Sequence, residues 1–441
     1  MSERRWSVVS LAIALAVAAP RPAAAEPVTL DDAIARALAA HPSLAGARAR
    51  VDAAATEIAL VDVEARPTVA ATASYSVGAR AGIALTDPAQ ALAGSVTASW
   101  RIWDFGLRAA RRRAAAATVA AREVAFTQAE RAVLQQVEQA YVDVLGAEAR
   151  LQIRRAASVA ERRHLDEARR LVVAGSKTSI DVAQADARVA SARVAEVRAD
   201  NARAQAIAAL AQAIAGDLPA DATFTTPWPA PLVDEDAALE GLVAEAVRAD
   251  PELARLNAER LASARAREAT RLATRPTLAA TASAGVDALG TYGVPPDDRR
   301  VAGAWSAGVT LSWQLYDGGA RRARLRAADA TLRAADAELA DRLLGLRAQL
   351  SAARLDIAAA KAQQGAAAAS VAAAREQLRQ AEARSAAGLG TSAELTDAQD
   401  ALTQALGDAA DADYQLAAAR TILRYRLGRL VTHPGHRESN P

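Results

Sequence analysis

Few residues of this 441-residue chain are equipped for catalysis. It has no Cys, which excludes disulfides, thiolate metal sites, a cysteine nucleophile and a lipidated N-terminal cysteine. Its four histidines are His41, His164, His433 and His436. Only His433 and His436 have a spacing able to hold a metal ion, and they lie in a polar tail, so no metal site is expected. No Ser/His/Asp grouping, phosphate-binding glycine loop or metal-ligand constellation is present, so no enzyme activity and no cofactor are expected. The densest charged groups are arginines at 108–113 and 321–326, which read as contacts to lipid headgroups or neighbouring helices, or as a solvated face. The sequence pI of about 9.1 invites a nucleic-acid reading. Residues 1–25 hold three arginines and one glutamate, so without them 50 basic and 50 acidic residues remain. A near-neutral chain has no global field to steer phosphate, and nucleic acid is not an expected partner.

Hydrophobic residues make up 52% of the chain but aromatic residues only 3%, because most of the apolar content is alanine. Alanine is the best helix former and adds little bulk, which favours long, closely spaced helices over a thick core. Residues 1–25 have an Arg4-Arg5 n-region, an apolar stretch at 7–19 and Ala23-Ala24-Ala25, the pattern of a cleaved signal peptide. That stretch is short for a spanning helix, which needs about 20 apolar residues. If the mature chain spans a membrane, it does so with strands.

The remaining sequence is duplicated. Residues 30–74 align with 239–283 at an offset of 209, and SWRIWDFG (99–106) aligns with SWQLYDGG (312–319) at an offset of 213. Proline is absent between Pro88 and Pro219 and between Pro296 and Pro434, leaving two stretches free for helix. Each stretch is interrupted once, by VAGSKTS (173–179) and AAGLGTS (386–392), where Gly followed by Thr and Ser reads as a C-cap and then an N-cap. The spacing predicts helical hairpins over 105–215 and 318–428, packed as coiled coils with small residues at the seam. Helix, strand pair and hairpin form a first structural repeat over 26–216 and a second over 235–428. A Pro-rich linker (217–234) joins them, and a polar tail (429–441) follows.

Ahead of each hairpin the period changes to two. Alternation over 68–77, 95–102, 277–286 and 305–315 predicts strand pairs within 68–103 and 277–316. Each segment is about the 9–11 residues of a membrane-spanning strand. Trp100, Trp103, Trp305, Trp313 and Tyr316 sit on or beside these strands, as an interfacial aromatic girdle would. A soluble antiparallel sheet with one wet face gives the same pattern. In lipid, four strands leave open edges that only further copies can close, and three copies give twelve strands.

These features together resemble the TolC-like outer membrane efflux proteins. The resemblance rests on VTLDDAIARALAAHPSL (28–44), the paired strand hairpins and the WDFG and YDGG junctions. It rests also on the tip motifs GSKTSIDVAQA (175–185) and GLGTSAELTDA (388–398), and it covers about 28–428. It implies a membrane β-barrel plus all-α fold. Four transmembrane strands per chain complete a trimeric twelve-stranded barrel, continued by a periplasmic helical coiled-coil barrel. It implies a homotrimer in outer membrane lipid that docks on a periplasmic adaptor and an inner-membrane transporter. Carried over on the tip motif, Glu394 and Asp397 fall where acidic side chains ring the closed periplasmic entrance. Asp400 lies one turn further, and Asp181 with Gln184 is equivalent in the first repeat. The alternative for these acids is a solvated helix face. Gly175, Thr178, Ser179, Gly388, Thr391 and Ser392 form the expected adaptor-docking tip, or plain helix caps. Arg169, Arg170 and Arg384 could pair with the acidic faces and hold the end shut. The function expected is a passive exit duct of a tripartite efflux or type I secretion system. The rival is a soluble periplasmic coiled-coil adaptor or tether.

Overall fold

The computed structural model describes residues 27–78, 89–233, 235–291, 300–387 and 389–429. The expected signal peptide, the His433/His436 tail and Gly388 lie outside them. The first run of elements is α1 (Leu30–Ala40), α2 (Pro42–Val63), β1 (Thr68–Gly78), β2 (Ala89–Trp103), α3 (Leu107–Val173) and α4 (Ser179–Ala213). The second is α5 (Leu239–Ala249), α6 (Pro251–Leu272), β3 (Thr277–Thr291), β4 (Arg300–Ser312), α7 (Ala320–Ala386) and α8 (Ser392–Arg426). The order is the same, and so are the helix lengths: 11, 22, 67 and 35 residues in each run. A 67-residue helix is about 100 Å long at 1.5 Å per residue.

Where the sequence suggested one helix before each strand pair, there are two, because Pro42 and Pro251 cannot continue the preceding helix. Each proline instead opens the next, with His41 and Asp250 as caps. His41 Nδ1 accepts from the Ser43 N–H (3.3 Å), and Asp250 Oδ1 accepts from the Glu252 and Leu253 N–H groups (2.7 and 3.1 Å). The WDFG and YDGG junctions work alike. Asp104 accepts from the N–H groups of Gly106 and Arg108, and Asp317 from those of Gly319 and Arg321. Gly106 and Gly319 hold φ of 89° and 90°, which turns the chain from strand into helix.

The strands form one antiparallel sheet in the order β1-β2-β3-β4. Its register puts apolar residues in continuous rows, such as Ala71–Val96–Ala284–Trp305 and Tyr75–Leu92–Ala288–Val301. Rows on the other face are hydroxylic, as in Thr68–Ser99–Thr281, with Thr68 and Ser99 hydroxyls 2.8 Å apart. Among the described residues no helix packs across the sheet. Val69, Tyr75, Leu92, Val286, Val301, Val309 and Leu311 are all exposed. A soluble sheet would cover such a face with a second layer. β4 stops at Ser312, so Trp313, Leu315 and Tyr316 fall outside the strand despite their alternation. Their first-repeat counterparts through Trp103 are strand because β3 pairs with them.

The helices pack through heptads of small and medium apolar residues. On α3 these are Val133, Val137, Ala140, Val144, Ala147 and Leu151; on α7 they are Leu346, Leu350, Ala353, Ile357, Ala360 and Ala367. Gly146 admits the Tyr414 ring of α8: a Cβ there would lie 2.7 Å from Tyr414 Cδ2. Both hairpins end in left-handed caps, but with different residues. Gly428 has φ of 70° and Ala215 φ of 52°. A Cβ on Gly428 would lie 2.8 Å from the Ala249 Cβ. Gly428→Ala is therefore expected to lower the thermal unfolding midpoint. Ala215→Gly should raise it, by relieving roughly 1 kcal/mol of left-handed strain.

Candidate gate and docking surface at the hairpin tips

The α3–α4 turn is a Schellman motif. Gly175 has φ of 76°, its N–H donates to the Val172 carbonyl (3.0 Å), and the Ser176 N–H donates to that of Leu171 (2.8 Å). Thr178 then caps α4. Its N–H and its hydroxyl both donate to Asp181 Oδ2, each at 2.8 Å. Those bonds from Thr178 hold the Asp181 carboxyl below the usual carboxylate range. Asp181 thus closes a capping box, and its geometry is that of a cap. The signal was present in the sequence as T-x-x-D.

The second tip repeats half of this arrangement. Thr391 Oγ1 accepts from the Glu394 N–H (3.2 Å), but the Glu394 side chain turns instead toward Arg384, 3.7 Å away. That is the pairing expected of Arg384. Arg169 faces Asp166 (3.8 Å) and Asp186 (3.9 Å) on its own hairpin, and Arg170 donates to the Asp166 carbonyl (3.3 Å). Asp397 and Asp400 are exposed on α8 and carry no ion-pair partner among the described residues. The two tips lie side by side. One crevice is lined by His164, Lys177, Asp181 and Arg188 of the first hairpin and by Gly390, Thr391 and Thr396 of the second. Val173, Ile180 and Leu389 project from the turns, and Val173 is 89% exposed.

Above the tips, the start of the second repeat, just after the linker, fastens the second hairpin, and nothing local in the sequence signalled it. Glu235 accepts from Arg420 of α8 with both oxygens at 3.0 Å and from Lys361 of α7 at 2.7 Å. Burial pushes its carboxyl up, but Arg420, Lys361 and the Leu232 N–H outweigh burial and hold it near 2. Glu138 on α3 is also buried, bonded to Arg424 of α8; there burial wins and its carboxyl is raised. Tyr141 ties the linker to α1 by donating to the Val28 carbonyl (3.0 Å) while accepting from the Thr226 N–H (3.1 Å). At the strand ends, the Trp100 indole donates to the Ala65 carbonyl (2.7 Å) and Trp103 meets Phe105 edge to face. Trp313 and Tyr316 lie exposed at the same level, and Trp305 sits mid-strand.

The family described as "Outer membrane efflux protein" matches residues 33–216 and 242–429, which is most of the chain and both repeats. The chain belongs to that family. It is accordingly an outer membrane efflux conduit and not an enzyme, with its helices extending into the periplasm. The fold agrees with solved channels. A membrane protein from Pseudomonas aeruginosa is 24% identical, with 90% of this chain and 93% of that one covered and a TM-score of 0.74. The Campylobacter jejuni CmeC outer membrane channel is 16% identical, with 91% and 85% covered and a TM-score of 0.73. The Neisseria gonorrhoeae MtrE channel, described in an open state, is 20% identical, with 90% and 88% covered and a TM-score of 0.70. No curated protein matches the sequence.

The two buried glutamates give opposite pH signatures. Glu235 contributes its full stabilisation above its ordinary value near 4.5 and loses it as pH falls toward about 2. Glu138, being raised, favours the fold below its ordinary value and loses that contribution as pH climbs through its raised one. Glu235→Gln should cost about 3 kcal/mol at neutral pH, because it leaves Arg420 without its partner. It should also flatten the acid limb of a melting-temperature profile between pH 4.5 and 2; an unchanged limb would contradict the clamp.

Proposed function

We propose that three copies of this chain close into one duct. Each chain brings four strands to a twelve-stranded barrel, and the duct carries substrates delivered by an inner-membrane transporter through a periplasmic adaptor. The observation that carries the trimer is an unfilled half of the internal symmetry. Within one chain, α3 packs on α6 and α8 of the second repeat, and β2 pairs with β3. The equivalent partners for α7 and β4 would be α2, α4 and β1. Among the described residues the extensive packing of α7 is within its own repeat, on α5, α6 and α8. The faces left over are apolar: Leu343, Leu344 and Leu355 on α7, Leu60 and Val63 on α2, Val194 and Val197 on α4. A neighbouring copy joined head to tail satisfies all three contacts at once, and such an interface closes into a ring where its rotation divides the circle evenly, as three copies do.

The duplication also fixes the register of closure. Ser99 pairs with Thr281 inside the chain, so their counterparts Ser312 and Thr72 pair between copies. That alignment sets Leu311 against Ala73, Val309 against Tyr75 and Trp313 against Ala71, keeping every apolar residue on the lipid face. It also gives Trp313–Tyr316 the strand partner missing within one chain. The cysteine-free chain makes the test direct. Thr72→Cys with Ser312→Cys should oxidise to covalent trimers, since paired residues lie about 4.5–5.5 Å apart, within disulfide reach. Thr72→Cys with Leu311→Cys, one residue out of register, should not; equal cross-linking of both pairs would refute this register.

At the tips, Glu394, Asp397, Asp400 and Asp181 form the periplasmic constriction, and Asp181 also caps α4. Gly175, Thr178, Ser179, Gly388, Thr391 and Ser392 form the surface an adaptor meets. The Arg384–Glu394 pair restrains the closed end. It is exposed, so it contributes at most about 1 kcal/mol and is easily broken on opening. Three-fold symmetry would gather several carboxylates around one axis, where they attract cations. Glu394→Ala with Asp397→Ala should raise resting conductance in a planar bilayer and weaken cation block. Unchanged conductance and block would remove these residues from the gate.

A further inference from the structure

The arginines at the strand-to-helix junctions divide by repeat, and the division is informative. In the first repeat Glu64, at the end of α2, accepts from Arg111 at 2.8 and 3.0 Å and from Arg101 at 3.0 Å. Asp62 accepts from Arg112 and Asp104 faces Arg108. Each of these four arginines meets a carboxylate. In the second repeat the arginine at the Arg111 position is kept as Arg324, and that at Arg108 as Arg321. The carboxylate is not kept: the residue equivalent to Glu64 is Ala273. Neither the Arg321 nor the Arg324 guanidinium has an ion-pair partner among the described residues, although the Arg321 backbone N–H is bound to Asp317.

These arginines line a real cleft. Arg111 of α3, Arg321 and Arg324 of α7, and Ala269, Thr270, Ala273 and Thr274 at the end of α6 enclose about 210 Å³. Arg111 brings its own carboxylate, so the unbalanced charge comes from the two α7 guanidiniums. Thr270 and Thr274 spend their hydroxyl protons on the carbonyls of Ala266 and Arg271, which leaves oxygen lone pairs and not donors on that wall. A ligand here must therefore bring negative charge and several acceptor oxygens to the arginine side. It must also fit where Ala273 leaves the space that a glutamate fills in the other repeat.

We infer that this cleft between α3, α6 and α7 binds a phosphate group, which takes the place of the missing carboxylate. Guanidinium groups bind phosphate through paired, charge-assisted hydrogen bonds, and two guanidiniums suit its several oxygens. The cleft lies within two turns of the strand ends, so phosphate could arrive as the headgroup of an anionic lipid or as a soluble anion. The inference does not depend on the gate assignment.

The test uses the full-length protein, delipidated in mild detergent, with retained lipid read by native mass spectrometry. Phosphatidylglycerol is added in one arm, phosphatidylcholine in a second, and inorganic phosphate is titrated as a competitor in a third. Two variants are compared with the parent: Arg321→Ala with Arg324→Ala, which removes the cations, and Ala273→Glu, which restores the carboxylate of the other repeat. Retention of phosphatidylglycerol over phosphatidylcholine that falls by roughly tenfold or more in both variants supports the site and assigns it to lipid. Inorganic phosphate binding that is lost in both variants, without lipid selectivity, supports the site and assigns it to a soluble anion. Binding by neither probe, or equal binding by the parent and the Ala273→Glu variant, overturns the proposal. Ala273→Glu carries the decision because an exposed alanine at a helix end accepts it without loss of packing.

Discussion

A β-sheet placed in lipid cannot keep a free edge, because each unpaired backbone group there costs several kcal/mol. This chain supplies a sheet with two such edges, β1 and β4. It supplies an apolar face that no helix packs across among the described residues. Both features would be defects in a soluble domain. In an outer membrane efflux protein they leave two problems with one solution, since joining β4 of one copy to β1 of the next removes the edges and leaves the apolar face for lipid. The helices inherit the same demand, because among the described residues α7 has no extensive contact with the other repeat of the kind that α3 makes with α6 and α8.

Duplication makes that solution available without new surface design. The contact between the repeats already exists inside each chain, at α3·α6, α3·α8 and β2·β3, and the contact between copies can reuse its geometry. Alanine-rich heptads let these long helices approach closely, and larger side chains are concentrated where the linker, α1 and α5 add a second layer. There Ile34, Val137, Tyr141 and Leu210 form one core, and Leu242, Leu346, Leu350 and Leu423 form its counterpart. Toward the tips the buried apolar residues of the second hairpin are mostly alanines, with Val371 the one larger side chain among Ala367, Ala374, Ala398 and Ala405. The second hairpin is thus clamped at the level of Glu235 and packs with fewer large side chains below it.

Much of this was legible in the sequence because the signals are local or repeated. Proline spacing set the hairpins, the Asp-x-Gly junctions set the helix starts, and the offsets of 209 and 213 set the duplication. What escaped depended on partners far along the chain. β2 and β3 run to 15 residues each, beyond the clear alternation, because pairing extends them through stretches such as AQALAG (89–94). The alternating segment after Ser312 is not strand within one chain, because its partner would lie on another copy. The T-x-x-D spacing around Asp181 also marks a helix cap, a role beside its equivalence with the acids of the second tip. Glu235 with Arg420 and Lys361, and Gly146 with Tyr414, are separated by hundreds of residues or nearly so, and no pattern in one sequence joins them.

The central claim is that one chain cannot complete its own sheet and that three together can. The most direct test is the mass of the native particle extracted from the outer membrane in mild detergent, by light scattering corrected for bound detergent. Three chains of 45.7 kDa, less any removed leader, are predicted. A particle of one chain, or recovery of the protein from the periplasmic fraction without detergent, would contradict the account and return the chain to a soluble role.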